Sequence, residues 1–316
     1  MKATKFKLPS SRAFYVCMLI AVAVLWGLDP IVNSILYEHY SAAALSTLST
    51  VFSAFLFFLI SLKKLKQLNR GYLQVALPIA LCNSLACLLQ RIGLQYTTPA
   101  KYSFLEYLSC IVVPIVQLIV LRKSPSKLKW ITCSICLVGC LLLTGAAEGS
   151  LAVGVGEILC ASAGILFGIS IFAIGEYTQK LDMGLFMMIH MSTYFVSSLI
   201  STVVLHLVRV NGVPMEAFSF SFSPEHLIPA ALFGFLSVGL CWLMKNEAIR
   251  HLPPTTSAVI GPFAAVVSAV VSMIRGTDVV TPSLIIAILM IMGSAALSGI
   301  ADHAQSKANP PHKKQK

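Results

Sequence analysis

The sequence predicts an all-α integral membrane protein with ten transmembrane helices in two inverted five-helix repeats. Three observations lead there. The chain is too apolar for water, its uncharged runs recur at the length of a membrane span, and its second half echoes its first.

Of 316 residues, 57% are hydrophobic and 11% charged. A soluble domain carries about a quarter charged residues, and its core volume cannot hide this much apolar surface. A mean hydropathy of +0.84 agrees. The net charge of +11 does not point to nucleic acid, because the basic residues sit in short clusters between apolar runs. Such clusters mark membrane topology and favour anionic headgroups.

A helix needs about 20 residues to cross the hydrocarbon core. The runs place spans at 13–36, 41–62, 72–95, 99–121, 128–146, 153–175, 184–208, 226–248, 253–274 and 280–299. The N-terminal segment, with Lys2, Lys5, Lys7 and Arg12 before its apolar run, resembles a signal peptide. No small-residue cleavage site closes a short core, so the run reads as the first span. Short turns at Tyr96-Thr97-Thr98-Pro99 and His251-Leu252-Pro253-Pro254 join spans 3 to 4 and 8 to 9. The longest connection is 209–225. With a cytoplasmic N-terminus, 19 of the 23 Lys and Arg fall on the inner side, leaving Arg91, Lys101, Arg209 and Arg275 outside. That bias fits an even span count with both termini inside. The expected organisation is a cytoplasmic N-terminus at 1–12, repeats at 13–147 and 148–300, and a disordered basic tail at 301–316. Short loops and a basic inner face suggest a bacterial inner membrane.

Three pairs of segments match in order. Gly93-Leu94-Gln95-Tyr96-Thr97-Thr98-Pro99 precedes Ala248-Ile249-Arg250-His251-Leu252-Pro253-Pro254 by 155 residues. Gly139 and Gly145 precede Gly293 and Gly299 by 154, and Leu25-Trp26-Gly27 precedes Leu166-Phe167-Gly168 by 141. Five spans per half force the second half upside down. Secondary transporters often have this construction, with substrate bound at the repeat interface.

These features resemble the EamA family of the drug/metabolite transporter superfamily: ten spans, two five-helix halves, the Trp26-Gly27 pair and the Gly-Leu-x-Tyr-Thr-x-Pro opening of span 4. The resemblance covers roughly residues 13–300 and implies a transporter: members export amino acids or other small metabolites and some carry nucleotide sugars or other cargo, and the resemblance does not choose among these. The family often carries a Gly-Glu pair after spans 4 and 9, where this chain has Leu121-Arg122-Lys123 and Gly276-Thr277-Asp278.

Ionisable groups inside a membrane are costly and therefore functional candidates. Asp29 and Asn33 share a face in the outer half of span 1, where Pro30 frees a carbonyl. Glu106 lies about 10 Å along span 4, placed to bind a cationic moiety or take a proton; a pairing with Lys101 or Arg91 is the plainer alternative. Tyr102 joins it on the same span. Arg91 ends span 3, and Lys245, 154 residues on with Glu247 nearby, is expected at the opposite mouth. Snorkelling to the interface is the plainer reading of both cations. Trp26 and Phe167 are matched aromatics beside glycines and are expected to wall a pocket. His190 in span 7 reads more readily as a hydrogen-bonded packing residue than as a proton relay. Spans 1, 3, 4, 6, 8 and 9 are expected to line the cavity, with hinges at Pro30, Pro99, Pro114, Pro254 and Pro262.

The nine cysteines lie almost all in apolar stretches, as small packing residues do. Cys133, Cys136 and Cys140 share a helical face, but no Cys/His set of metal-site form accompanies them. No metal or cofactor is expected. The chain has no phosphate loop, zinc-protease motif or nucleophile elbow, so the expectation is a carrier and not an enzyme. Its partners would be a small-molecule substrate, the lipid bilayer and, through the glycines of spans 5 and 10, a second copy of the chain. The alternatives are a non-transporting sensor or assembly protein and, further off, an intramembrane enzyme using Asp29 and Glu106.

Overall fold

The computed structural model describes residues 11–122, 124–144, 153–210, 212–276 and 281–308. Residues 1–10, Lys123, Gly145 with the boundary at 147/148, Thr277-Asp278 and the last eight tail residues lie outside the described residues.

Among the described residues, ten helices are long and apolar enough to cross a membrane. They are α1 (Arg12–Leu36), α2 (Ala42–Ser61, ending in a 3-10 turn to Gln67), α3 (Arg70–Leu94), α4 (Pro99–Glu106 and Ser109–Leu121), α5 (Lys127–Thr144), α6 (Val155–Tyr177), α7 (Met183–Leu207), α8 (Pro224–Gly234, a π segment Phe235–Leu240, and Cys241–His251), α9 (Pro254–Ile260 and Phe263–Ile274) and α10 (Pro282–Ala308). The helix starts are written locally. Side chains of Ser11, Ser41, Asn69, Thr98 and Asp182 each accept an N–H in the first turn that follows, satisfying donors that a lipid environment would leave unpaired. The α4 helix stops at Arg122, whose φ of 52° is left-handed. A two-stranded ribbon, β1 (Arg209–Val210) with β2 (Val213–Pro214), begins the long connection. The last helix reaches Ala308, eight residues beyond the boundary expected at 300.

Packing follows a two-fold rule. The α1 helix packs on α9 as α6 packs on α4; α8 packs on α1 as α3 packs on α6; α8 packs on α2 as α3 packs on α7. Helices α2 and α7 pair with each other, as do α5 and α10. Single contacts obey the same rule. A methyl group added at Gly27 would stand 2.6 Å from Val267 Cβ and 2.7 Å from the Ala264 carbonyl. At Gly168, it would stand 2.6 Å from Val112 Cγ1 and 3.4 Å from Ser109 Cα. Gly168 follows Gly27 by 141 residues, while Val267 and Ala264 follow Val112 and Ser109 by 155. Gly93 presses on Gly156 and Cys160; its mate Ala248 packs with their mates Tyr15 and Leu19. Glycine is needed at these crossings because without a hydrophobic drive helices associate through close backbone approach.

The helix breaks are also mates. The α4 helix is interrupted at Tyr107-Leu108 and α9 at Gly261-Pro262. Pro99 and Pro254, 155 residues apart, open their helices. Helices continue through Pro30 and Pro114, so the interruption of α4 comes one to two turns before the proline expected to cause it. Helix α8 contains Pro229, which was not among the expected hinges, and carries a π segment, Phe235–Leu240, beyond it.

One core, with Phe57, Ile79, Phe167, Phe186, Met187 and Trp242, lies among α2, α3, α6, α7 and α8. A second, with Cys110, Cys133, Cys136 and Cys140, lies among α4, α5, α9 and α10. Those four thiols are fully buried, with Cys110 and Cys136 sulfurs 3.9 Å apart. Gly139 packs on Ile291 and Met290, whereas Gly293 and Gly299 have open space above them. Between α2 and α7 runs a seam of hydroxyls: Ser46 with Ser198 at 3.4 Å and Thr47 with Thr202 at 2.9 Å.

Candidate functional site

A cavity of about 350 Å³ opens at the face away from the termini, called here the loop face. Its mouth lies at Tyr37, Gln95 and Glu216; its wall includes Asp29, Asn33, Ser46, Arg91, Tyr102 and Ser237. Helices α1, α2, α3, α4, α7 and α8 therefore supply it. The expectation for α6 and α9 is corrected: as mates of α1 and α4 in an inverted repeat, they present their faces toward the other half of the membrane. Phe167 accordingly packs in the core and does not reach the cavity.

Two opposite charges face this space. Asp29 accepts from Ser237 Oγ at 2.5 Å through Oδ2, and its Oδ1 is buried with no hydrogen-bond partner. The Ser237 carbonyl accepts from Trp26 Nε1 at 2.9 Å, so the π segment of α8 serves both residues. Arg91 donates to Ser201 Oγ at 3.2 Å and to Ser46 Oγ at 2.5 Å. Its guanidinium is thus held by neutral hydroxyls, which fix its direction and leave its charge uncompensated.

A second layer lies behind the wall. Glu106 Oε2 accepts from Gln90 Nε2 at 2.8 Å, and Gln90 itself lines the cavity. Neither alternative partner of Glu106 is used: Lys101 pairs with Glu157 at 3.0 Å, and Arg91 is bound to serines. Lys245 is not at the opposite mouth. Its Nζ lies 4.3 Å from the Trp242 ring centre and 5.0 Å from that of Trp26, a cation–π box. Its displacement from the expected place has a simple cause. The contacts in α3 and α8 are 155 residues apart, so Arg91 pairs with Asn246, and Lys245 with Gln90.

The termini face is closed by a polar clasp. Arg250 donates to Glu247 at 3.0 Å and to the carbonyls of Gln179 and Leu181 at 2.9 and 3.1 Å. Lys64 pairs with Asp182 at 2.7 Å, and Tyr72 donates to the Asp182 carbonyl at 2.7 Å. His251 stacks on Tyr15 with ring centres 4.0 Å apart. Glu247 belongs to this clasp and not to the cavity.

Of the residues singled out from the sequence, Asp29, Asn33, Arg91 and Tyr102 line the cavity together. Trp26, Glu106 and Lys245 stand in the layer behind; Phe167 and Glu247 stand apart. Ser237, Gln90, Ser46, Ser201 and Trp242 went unselected. Each is a common residue in an apolar helix, and only the three-dimensional pairing distinguishes it. For Trp242 a signal existed: it lies three residues before Lys245, on the same helix face.

Ten apolar helices in two-fold array, with a charged cavity open on one face and a clasp on the other, define a multi-pass membrane protein built like a carrier. Residues 13–145 match the model of the EamA-like transporter family. Over this first repeat the chain is similar to that family, which is part of the drug/metabolite transporter superfamily. A protein of known crystal structure shares the fold with a TM-score of 0.71 at 14% identity, over 92% of this chain and 99% of that one. No curated protein matches the sequence.

Proposed function

We propose that the protein is a secondary transporter of small polar metabolites, with amino acids as the leading substrates, working by alternating access. One observation carries the reading: a buried Asp29 oxygen without a donor shares a cavity with an Arg91 held only by hydroxyls. A lone buried carboxylate oxygen is costly, and an ammonium group would satisfy it. The guanidinium presents the planar fork that a carboxylate takes. A cavity of about 350 Å³ is at the small end of ligand sites, which suits an amino acid better than bulky cargo. Glu106, joined to the wall through Gln90, is the group we assign to proton coupling.

Net flow is set by the solute and proton gradients together, and we assign its direction as export, from the termini face to the loop face. The charge bias supports cytoplasmic termini, and the short loops support a bacterial inner membrane.

The test is a thermal-shift screen in detergent against amino acids, nucleosides, sugars and organic acids, followed by proteoliposome flux. A ligand that binds the folded state raises Tm by mass action. The expected result is a shift from amino acids that is lost in Asp29→Asn and Arg91→Gln and kept in Glu106→Gln, whose flux loses its pH dependence. A shift from another class, or one untouched by both substitutions, overturns the substrate assignment.

A further inference from the structure

The cavity has a counterpart in the other half of the membrane. Position 29 on α1 maps by the 141-residue offset to Ser170 on α6, and position 91 on α3 maps by the 155-residue offset to Asn246 on α8. The contacts follow. Asp29 binds Ser237 of α8; Ser170 Oγ donates to Asn83 Oδ1 of α3 at 3.1 Å. The mate of Ser237 is Cys82, one residue before Asn83, and Cys82 Sγ donates to the Leu166 carbonyl. Arg91 bridges to α2 and α7; Asn246 Nδ2 reaches Met187 Sδ and His190 Nδ1 of α7, each at 3.4 Å. Asn83 Nδ2 donates to His190 Nε2 at 2.6 Å; with Asn83 Oδ1 taken by Ser170, the neutral imidazole carries its proton on Nδ1, the nitrogen that faces Asn246.

This cluster is sealed. Asn83, Ser170 and His190 are each 1% exposed and Asn246 is 0%. Asn246 Oδ1 has no hydrogen-bond partner. A buried amide oxygen without a donor occupies one mate position, just as a buried carboxylate oxygen without a donor occupies another.

Resting on the carrier reading above, we infer that Asn83, Ser170, His190 and Asn246 form a second substrate subsite, uncovered toward the termini face when the clasp around Arg250 opens. It takes the same zwitterion with neutral groups. The amide N–H groups face the carboxylate, and Asn246 Oδ1 receives the ammonium. Substrate thus meets an ionised pair at the loop face and an amide–imidazole set at the termini face.

Two measurements test this, one of them independent of any ligand. In Cys17→Ser/Cys82→Ala protein, whose other cysteines are buried, Asn246→Cys is exposed to a membrane-impermeant maleimide from each face of sealed vesicles. Expected is slow labelling with the clasp intact and at least tenfold faster labelling, from the termini face alone, after Arg250→Ala. Ser170→Cys repeats the measurement should Asn246→Cys fail to give monodisperse protein. Labelling from the loop face, or no acceleration in either variant, overturns the inference.

The second measurement is flux of the amino acid that gives the largest thermal shift. Asn246→Leu should cut uptake from the termini face about tenfold while the thermal shift, read on the cavity, stays within twofold. Unchanged flux alongside accelerated labelling overturns the subsite, because the cluster then opens without binding. If no amino acid shifts wild-type protein, the carrier reading fails on its own and the labelling still decides whether the cluster opens.

Discussion

Arg91 and Lys245 show how differently a membrane bundle treats two cations. Arg91 spends its donors on hydroxyls that turn the guanidinium toward water in the cavity. Lys245 rests on two indole faces, and the structure gives it no hydrogen bond to any acceptor. Two of the three tryptophans therefore sense this one ammonium. Lys245→Met is expected to raise and shift the intrinsic fluorescence by removing a charge from beside both rings, whereas Lys63→Met, on the exposed turn after α2, leaves it nearly unchanged. An equal spectrum in Lys245→Met would mean the cation–π box does not persist in solution. The sequence marked both cations, because a charge in an apolar run is conspicuous. It did not separate their roles, because a register error of one residue moves a side chain about 100° around its helix.

At the level of helices, the glycines divide into those under load and those without one. Gly27 and Gly168 lie where a methyl group would collide with a neighbouring helix. Overpacking of this kind costs about 1–3 kcal/mol, so Gly27→Ala and Gly168→Ala should each lower Tm in detergent, and by similar amounts because they are mates. Gly293 meets nothing within 4 Å. There alanine gains about 1 kcal/mol of helix propensity, so Gly293→Ala should hold or raise Tm. If all three behave alike, the crossings are looser than drawn. Span positions were legible because lipid demands unbroken apolar runs, and Pro99 and Pro254 were legible as helix starts because proline suits that position. The breaks in α4 and the π segment in α8 were not. They depend on how Leu105 and Leu108 meet Gly164, and on what Ser237 gives to Asp29, neither of which has a local signature.

Across the whole molecule, the repeat was readable and the cavity was not. Three short matches gave the offsets, and those offsets predict contacts down to single atoms at Gly27, Gly93 and Gly168. The error lay in assigning both halves of the bundle to one cavity. Phe167 was chosen by symmetry with Trp26 and Glu247 as the neighbour of Lys245, yet inversion sends the environment of both to the opposite side. The clasp is what makes the two halves differ in this structure. Arg250→Ala removes the guanidinium that holds both carbonyls of the α6–α7 connection and the Glu247 carboxylate, and should accelerate proteolysis at Lys180 from the termini face severalfold with little change in Tm. No acceleration would place the closure elsewhere, in the stacked Tyr15 and His251.

Helices α2 and α7 are each other's mates, so the seam between them lies across the pseudo-axis itself. Its hydroxyl pairs, Ser46 with Ser198 and Thr47 with Thr202, are chemically interchangeable: each group donates or accepts as its neighbour requires. Interhelical bonds of this type contribute only about 0.6 kcal/mol each. Such a surface behaves as a bearing, since a slip along it trades one weak bond for an equivalent one and meets little friction. Replacing Thr47 and Thr202 by valine should therefore slow exchange across the membrane while leaving Tm nearly constant, the behaviour of a seized pivot in an otherwise sound machine.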